Sequence, residues 1–163
     1  MTVMHKNIRE YLYLFSILFY TPTPQSIEKA KKIASLIGDE FIKNILNNKD
    51  VDDLLREYTK TFHGGVRAGA CSPYESFYRE GLAYGETAVK ILKMLREKGF
   101  ELNIEGEQAD HIAVELEFAS FTLDEEMIKR LKEWIPKFYK CLENRSLIYS
   151  KFAEKLMKIL EEI

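Results

Sequence analysis

Apolar residues recur along this chain at spacings of three and four, and prolines and glycines mark the interruptions. Ile8, Tyr11, Leu12, Phe15, Leu18 and Phe19 keep that rhythm, which predicts an amphipathic helix over residues 4–20. Thr21-Pro22-Thr23-Pro24 breaks it. Thr23 before Pro24 is the pattern of an N-cap with proline at the first helical position. Ile27, Ala30, Ile33, Ala34 and Ile37 give this second helix an apolar face, and Gly38 stops it. A short helix is predicted over 40–47, closed by Asn47-Asn48. Asp50 opens a fourth, with Leu54, Leu55, Tyr58 and Phe62 turned inward.

In the second half, Ala88, Ile91, Leu92 and Leu95 align on one face of a helix predicted over 82–98, which Gly99 terminates. Residues 100–107 read as an acidic loop. The segment 109–123 carries Ile112, Val114, Leu116, Phe118 and Phe121 on more than one face, the mark of a central buried helix. Two further helices are predicted over 124–143 and 145–162, the first kinked or split at Pro136. No stretch alternates with period two, and there is no repeat or linker. The expectation is an all-α, single-domain helical bundle spanning 1–163.

The stretch from Glu57 to Tyr78 stands apart from this regularity. A helical pattern ends at Phe62, and His63-Gly64-Gly65-Val66-Arg67-Ala68-Gly69-Ala70-Cys71 follows as a loop expected to be mobile. Ser72-Pro73 then resets the backbone toward extended geometry. Tyr74, Phe77 and Tyr78 follow within a turn and the first turn of a helix. Aromatics so placed serve either as core plugs or as the floor of a groove. Phe77 reads first as a plug; for Tyr74 and Tyr78 both readings stay open.

Composition narrows the function classes. The chain has 163 residues, 46% hydrophobic and 31% charged, with a net charge of -2. That length supports one domain with a core of its own, and the charge gives no footprint for nucleic acid. Tyr11 to Tyr20 is too short an apolar run to span a bilayer. Cys71 and Cys141 are far apart and match no zinc or redox spacing. They read as reduced thiols of a cytoplasmic protein.

Enzymatic readings find little support. The loop around Gly64-Gly65 lacks the Lys-Ser or Lys-Thr pair of a phosphate loop, since Ala70 and Cys71 follow Gly69. His111 and Glu115, four apart, would share a helix face, yet no third ligand is nominated for a metal. Asp110 reads as a cap of the helix it precedes or as a functional partner of His111. Trp134 reads as core or as partly exposed in a groove.

Three segments together carry a resemblance. Glu57-Tyr58-x-x-x-Phe62, the glycine-bearing loop and Ser72-Pro73-Tyr74-Glu75-Ser76-x-Tyr78 form the first. Ala109-Asp110-His111-Ile112-x-x-Glu115-Leu116-x-Phe118 is the second, and Trp134-Ile135-Pro136-x-Phe138 the third. In order and spacing they resemble the TorD/DmsD/NarJ family of redox-enzyme maturation chaperones, over roughly residues 10–160. Relatives often carry Trp where Tyr74 stands and Pro where Ala109 stands, which leaves the subgroup and the client unassigned.

The resemblance implies a cytoplasmic chaperone, monomer or homodimer, without enzymatic activity, cofactor or metal. Its implied partner is the catalytic subunit of a molybdopterin oxidoreductase, bound at an N-terminal leader that is often a twin-arginine signal peptide. The implied contacts are Tyr74, Glu75, Ser76, Tyr78, Asp110 and His111. Phe77 joins them as part of the aromatic floor, Glu115 by its place one turn beyond His111, and Trp134 and Pro136 at the groove's margin. In that picture Glu75 and Asp110 meet the leader's guanidinium groups. The alternatives are a small hydrolase or nucleotide-dependent enzyme using His111 and the glycine loop, and a structural helical subunit of an oxidoreductase complex.

Overall fold

A computed structural model describes residues 7–65, 69–82, 85–102 and 106–163. Among them are nine helices and no strand: α1 (Ile8–Leu18), α2 (Pro24–Ile37), α3 (Glu40–Asn47), α4 (Val51–Phe62), α5 (Glu75–Glu80), α6 (Glu86–Glu97), α7 (Ile112–Thr122), α8 (Glu125–Glu143) and α9 (Leu147–Glu161). The all-α bundle expected from the periodicity is the fold observed. Val66 to Ala68, within the loop after α4 that was expected to be mobile, lie outside the described residues.

Local capping explains most boundaries. Thr23 accepts the Ser26 N–H while Ser26 Oγ accepts the Thr23 N–H, a reciprocal cap at the start of α2. Asp39, Asp50, Asp124 and Ser146 each accept an N–H of the helix they precede. Gly38 closes α2 at φ 72°, a left-handed geometry that costs glycine little.

Two predicted boundaries are corrected. The helix expected from residue 82 begins at Glu86. Gly81 ends α5 in the left-handed region, and the Glu80 carboxylate accepts the N–H groups of Glu86 and Thr87 at 2.6 and 2.8 Å, which starts a new helix there. Pro136 does not split α8, which runs unbroken from Glu125 to Glu143. Pro136 and Lys132 are both exposed, so the carbonyl that proline leaves without an N–H partner lies on the solvent side.

The central helix is α7. It packs most extensively against α1, as α8 does against α9. From Ile112 to Ala119 all its residues except Glu117 are buried, whereas Phe121, expected inward, is 60% exposed. Beside it an aromatic cluster fills the core. Phe62 and Tyr149 meet edge to face at 5.1 Å, and Phe19 meets Phe138 at 5.6 Å.

The two cysteines are joined. Cys71 and Cys141 form a disulfide with Cα atoms 5.9 Å apart, which corrects the expectation of reduced thiols. Cys71 N–H donates to Thr61 O at 2.8 Å, folding the end of the glycine loop back onto α4 and against α8. A separation of 70 residues conceals that approach from any local reading.

Candidate functional site

The first and second of the three conspicuous segments meet at one backbone bridge. Tyr74 pairs with His111 in antiparallel fashion: Glu75 N–H donates to Asp110 O at 3.1 Å, and Ile112 N–H donates to Pro73 O at 2.8 Å. The bridge fixes α5 against the start of α7.

Asp110 is fully buried, and its Oδ2 accepts the Ser76 N–H at 2.8 Å. It therefore caps α5 and leaves the cap of α7 to His111, contrary to the expectation that Asp110 caps its own helix. His111 Nδ1 accepts the Ala113 N–H at 3.0 Å. With Nδ1 accepting, the neutral ring carries its proton on Nε2. Burial lowers the His111 pKa from 6.5 to about 4, outweighing the pull of Glu107 in the other direction.

Glu75 and Glu115 are both fully buried and face each other from α5 and α7. Glu75 Oε2 bonds Arg79 Nε and lies 3.4 Å from Arg130 Nε, while Arg79 also reaches Glu133 at 2.8 Å. The guanidinium groups that meet Glu75 are thus the chain's own. Trp134 Nε1 donates to Glu115 Oε1 at 3.0 Å. Burial raises the Glu115 pKa well above the usual carboxylate range, and the adjacent Glu75 adds to it. Glu75 Oε1 and Glu115 Oε2 have no other hydrogen-bond partner among the described residues. A proton retained on Glu115 supplies a bond between the two carboxyl groups and removes the orphaned pair.

The aromatics divide differently from expectation. Tyr78 stacks on Trp134 at 5.5 Å, and its hydroxyl donates to Ser72 O at 2.7 Å. Tyr78 packs against the core, whereas Phe77 stays half-buried outside it. The cause is the Asp110 cap, which turns Glu75 and Ser76 inward and Phe77 away. Trp134 is buried at 1% exposure, so the core reading holds. Pro136 borders a separate hollow of about 260 Å³ with Met157 and Leu160.

Of the ten predicted residues, Tyr74 and His111 line an open recess of about 350 Å³. Tyr20, Tyr58, His63 and Glu107 are among the other residues that line it. The rings of Tyr20 and Tyr74 both meet His111 edge to face, at 5.3 and 5.2 Å. Tyr74 OH donates to Glu107 Oε1 at 2.7 Å, and Gln108 N–H donates to the same atom at 3.0 Å. Burial raises the Tyr20 pKa, and Glu107, within hydrogen-bond reach, adds to it. Sequence reasoning missed Glu107 because an acidic residue in a loop reads as solvated. It missed Tyr20 because that residue lies off the apolar face read for the first helix. Tyr58 was read only as core.

Among the described residues no group of three or more His, Cys, Asp or Glu is placed to hold a metal ion, and no helix is long and apolar enough to cross a membrane.

No curated protein is significantly similar. Residues 24–145 match a family model described as nitrate reductase delta subunit. A crystal structure of a candidate redox enzyme maturation protein from Archaeoglobus fulgidus superposes with a TM-score of 0.84 at 35% identity, covering 94% of this chain and 93% of that one. The chain belongs to the nitrate reductase delta subunit family, the NarJ/TorD-like chaperones that mature redox enzymes.

Proposed function

We propose that the chain is a non-catalytic cytoplasmic chaperone that binds the N-terminal leader of a molybdopterin oxidoreductase catalytic subunit. It holds that subunit back from export or assembly until its cofactor is in place. One observation carries the reading: the two segments most specific to the family converge on the Tyr74–His111 bridge, and both residues open onto one recess. The recess has an aromatic wall and a carboxylate, the chemistry that suits a basic and apolar peptide. Glu75, Ser76, Asp110 and Glu115 support the site from beneath, since their bonds orient α5 against α7.

The test is affinity capture from the native host with mass spectrometry, repeated with the captured subunit lacking its N-terminal segment. The expected result is capture of an oxidoreductase catalytic subunit that depends on that segment and ends once the enzyme is mature. Retention in the mature complex would instead make the chain a structural subunit.

A further inference from the structure

Away from the recess, α2 and α3 border an open hollow of about 640 Å³. Lys31, Lys32, Ser35 and Leu36 line it from one face of α2, at spacings of three and four, and Lys43 and Asn47 line it from one face of α3. Leu36 is 85% exposed, the most exposed large apolar side chain among the described residues. Lys31 and Lys43 are half-buried, and Lys32 is exposed. The corner that shapes the hollow is held in place by Asp39. This buried residue caps α3 through the Ile42 N–H at 2.9 Å, accepts the Tyr11 hydroxyl of α1 at 2.6 Å and pairs with Lys155 of α9 at 3.2 Å. A site formed in advance lowers the ordering cost of binding.

Charge is uneven here. The chain as a whole carries -2, yet residues 24–49 hold five lysines and three acidic residues. Of those three, Asp39 is already paired with Lys155, and Glu28 lines the hollow beside the lysines. Lys31, Lys32 and Lys43 take part in none of the ion pairs formed among the described residues. Residues 7–65 are described without interruption, and residues 1–6 contain no Asp or Glu, so no acidic residue on this side of the chain is left out of that account.

We propose that this groove docks an acidic amphipathic helix of a partner protein, with carboxylates on Lys31, Lys32 and Lys43 and an apolar side chain on Leu36. Charge complementarity selects the acidic partner. The α2 face from Glu28 to Leu36 extends about 12 Å at the rise of a helix, so a helix of two to three turns covers it. A small anion would satisfy the lysines and leave Leu36 in water. An anionic lipid surface is flat, whereas the lysines stand around a hollow and share it with Glu28. The groove shares no lining residue with the Tyr74–His111 recess, so it is independent of the leader reading.

The probes are labelled alanine-based helical peptides with two glutamates one turn apart and two leucines on the same face, made with the glutamates before or after the leucines. They are titrated by fluorescence anisotropy at low and high salt, beside companions carrying glutamine for both glutamates. The full chain is expected to prefer the glutamate peptide by about tenfold at low salt, the combined scale of a few partly exposed ion pairs, and by less at high salt. Lys31→Gln with Lys43→Gln should erase that preference. A control that removes two lysines of α8, Lys137→Gln with Lys140→Gln, should keep it. Leu36→Ser should weaken the glutamate and glutamine peptides alike, by several-fold at every salt concentration.

Equal affinity of the parent for glutamate and glutamine peptides overturns the proposal, as does failure to bind any of the peptides. An equal loss in the α2–α3 and α8 double variants overturns it too, because attraction would then follow overall charge rather than this groove. Unchanged affinity in Leu36→Ser overturns the apolar half. If the α2–α3 double variant does not fold, Lys32→Gln and Leu36→Ser locate the site in its place. Vesicles of phosphatidylglycerol and phosphatidylcholine are the remaining probe: if they bind the parent, release the α2–α3 double variant and the peptides do not bind, the face meets lipid and the partner helix is refuted. Leader-dependent client capture that persists in all these variants leaves both readings standing, since it reports on the recess alone.

Discussion

Asp110 caps a helix that lies 34 residues upstream of it in sequence, its Oδ2 accepting the Ser76 N–H at 2.8 Å. The same residue's carbonyl accepts the Glu75 N–H, so one buried residue satisfies two of the orphan donors that begin α5. Asp110→Ala is expected to cost about 1–2 kcal/mol of stability, the range of a lost helix cap. Asp110→Asn should cost less, because asparagine caps nearly as well. Urea denaturation of both variants checks this; equal losses would show that the carboxylate charge matters more than the acceptor.

His111 makes the fold sensitive to acid. Its folded pKa lies near 4 and its ordinary value is 6.5. Between those values the unfolded chain takes up a proton that the folded chain refuses, so stability falls as pH falls through this window. The full effect is about 3 kcal/mol. His111→Asn retains a capping side chain at the start of α7 and removes the titration. Thermal melts from pH 7 to pH 4 should therefore fall less steeply in the variant, and parallel curves would refute the assignment.

Glu115 acts with the opposite sign. Its folded pKa is raised, so the stability tied to its proton is complete below the ordinary carboxylate value of 4.5 and is lost as pH rises through the raised value. Glu115→Gln mimics the protonated side chain: its amide oxygen takes the Trp134 Nε1–H, and its NH₂ group is free to donate to Glu75. The variant is expected to melt higher than the parent at pH 8 and to lose less stability between pH 5 and pH 9. A lower melting temperature at pH 8 would show that the buried carboxylate is better satisfied than its orphaned oxygen indicates.

The Cys71–Cys141 disulfide closes a span of 70 residues. Constraint of the unfolded chain by a loop of that size contributes about 4 kcal/mol in the chain-entropy account. The Cys71→Ser, Cys141→Ser double variant should lose stability of that order in urea, and the parent should lose it on adding reductant. Free-thiol titration of the unfolded parent checks the pairing itself; two reactive thiols without reductant would refute it.

The helices could be read from the chain because their causes are local. Thr23-Pro24, Asp50 and Gly38 act on the neighbouring few residues, and the 3.6-residue rhythm is contained within each helix. Tyr74 and His111 could be singled out as members of conspicuous segments, although their bridge could not.

What only the tertiary structure decided depends on partners far apart in sequence. Glu75, expected to await a leader's arginines, already lies against Arg79 and Arg130. Asp110 caps α5 rather than α7. Glu107, within its acidic loop, lines two hollows, and Cys71 meets Cys141. Each pairing is chosen by which side chains the packed helices bring within a few ångströms, and hydrogen bonds and ion pairs act only over that distance. Sequence spacing reports direction along one helix; it carries no measure of what lies across the next.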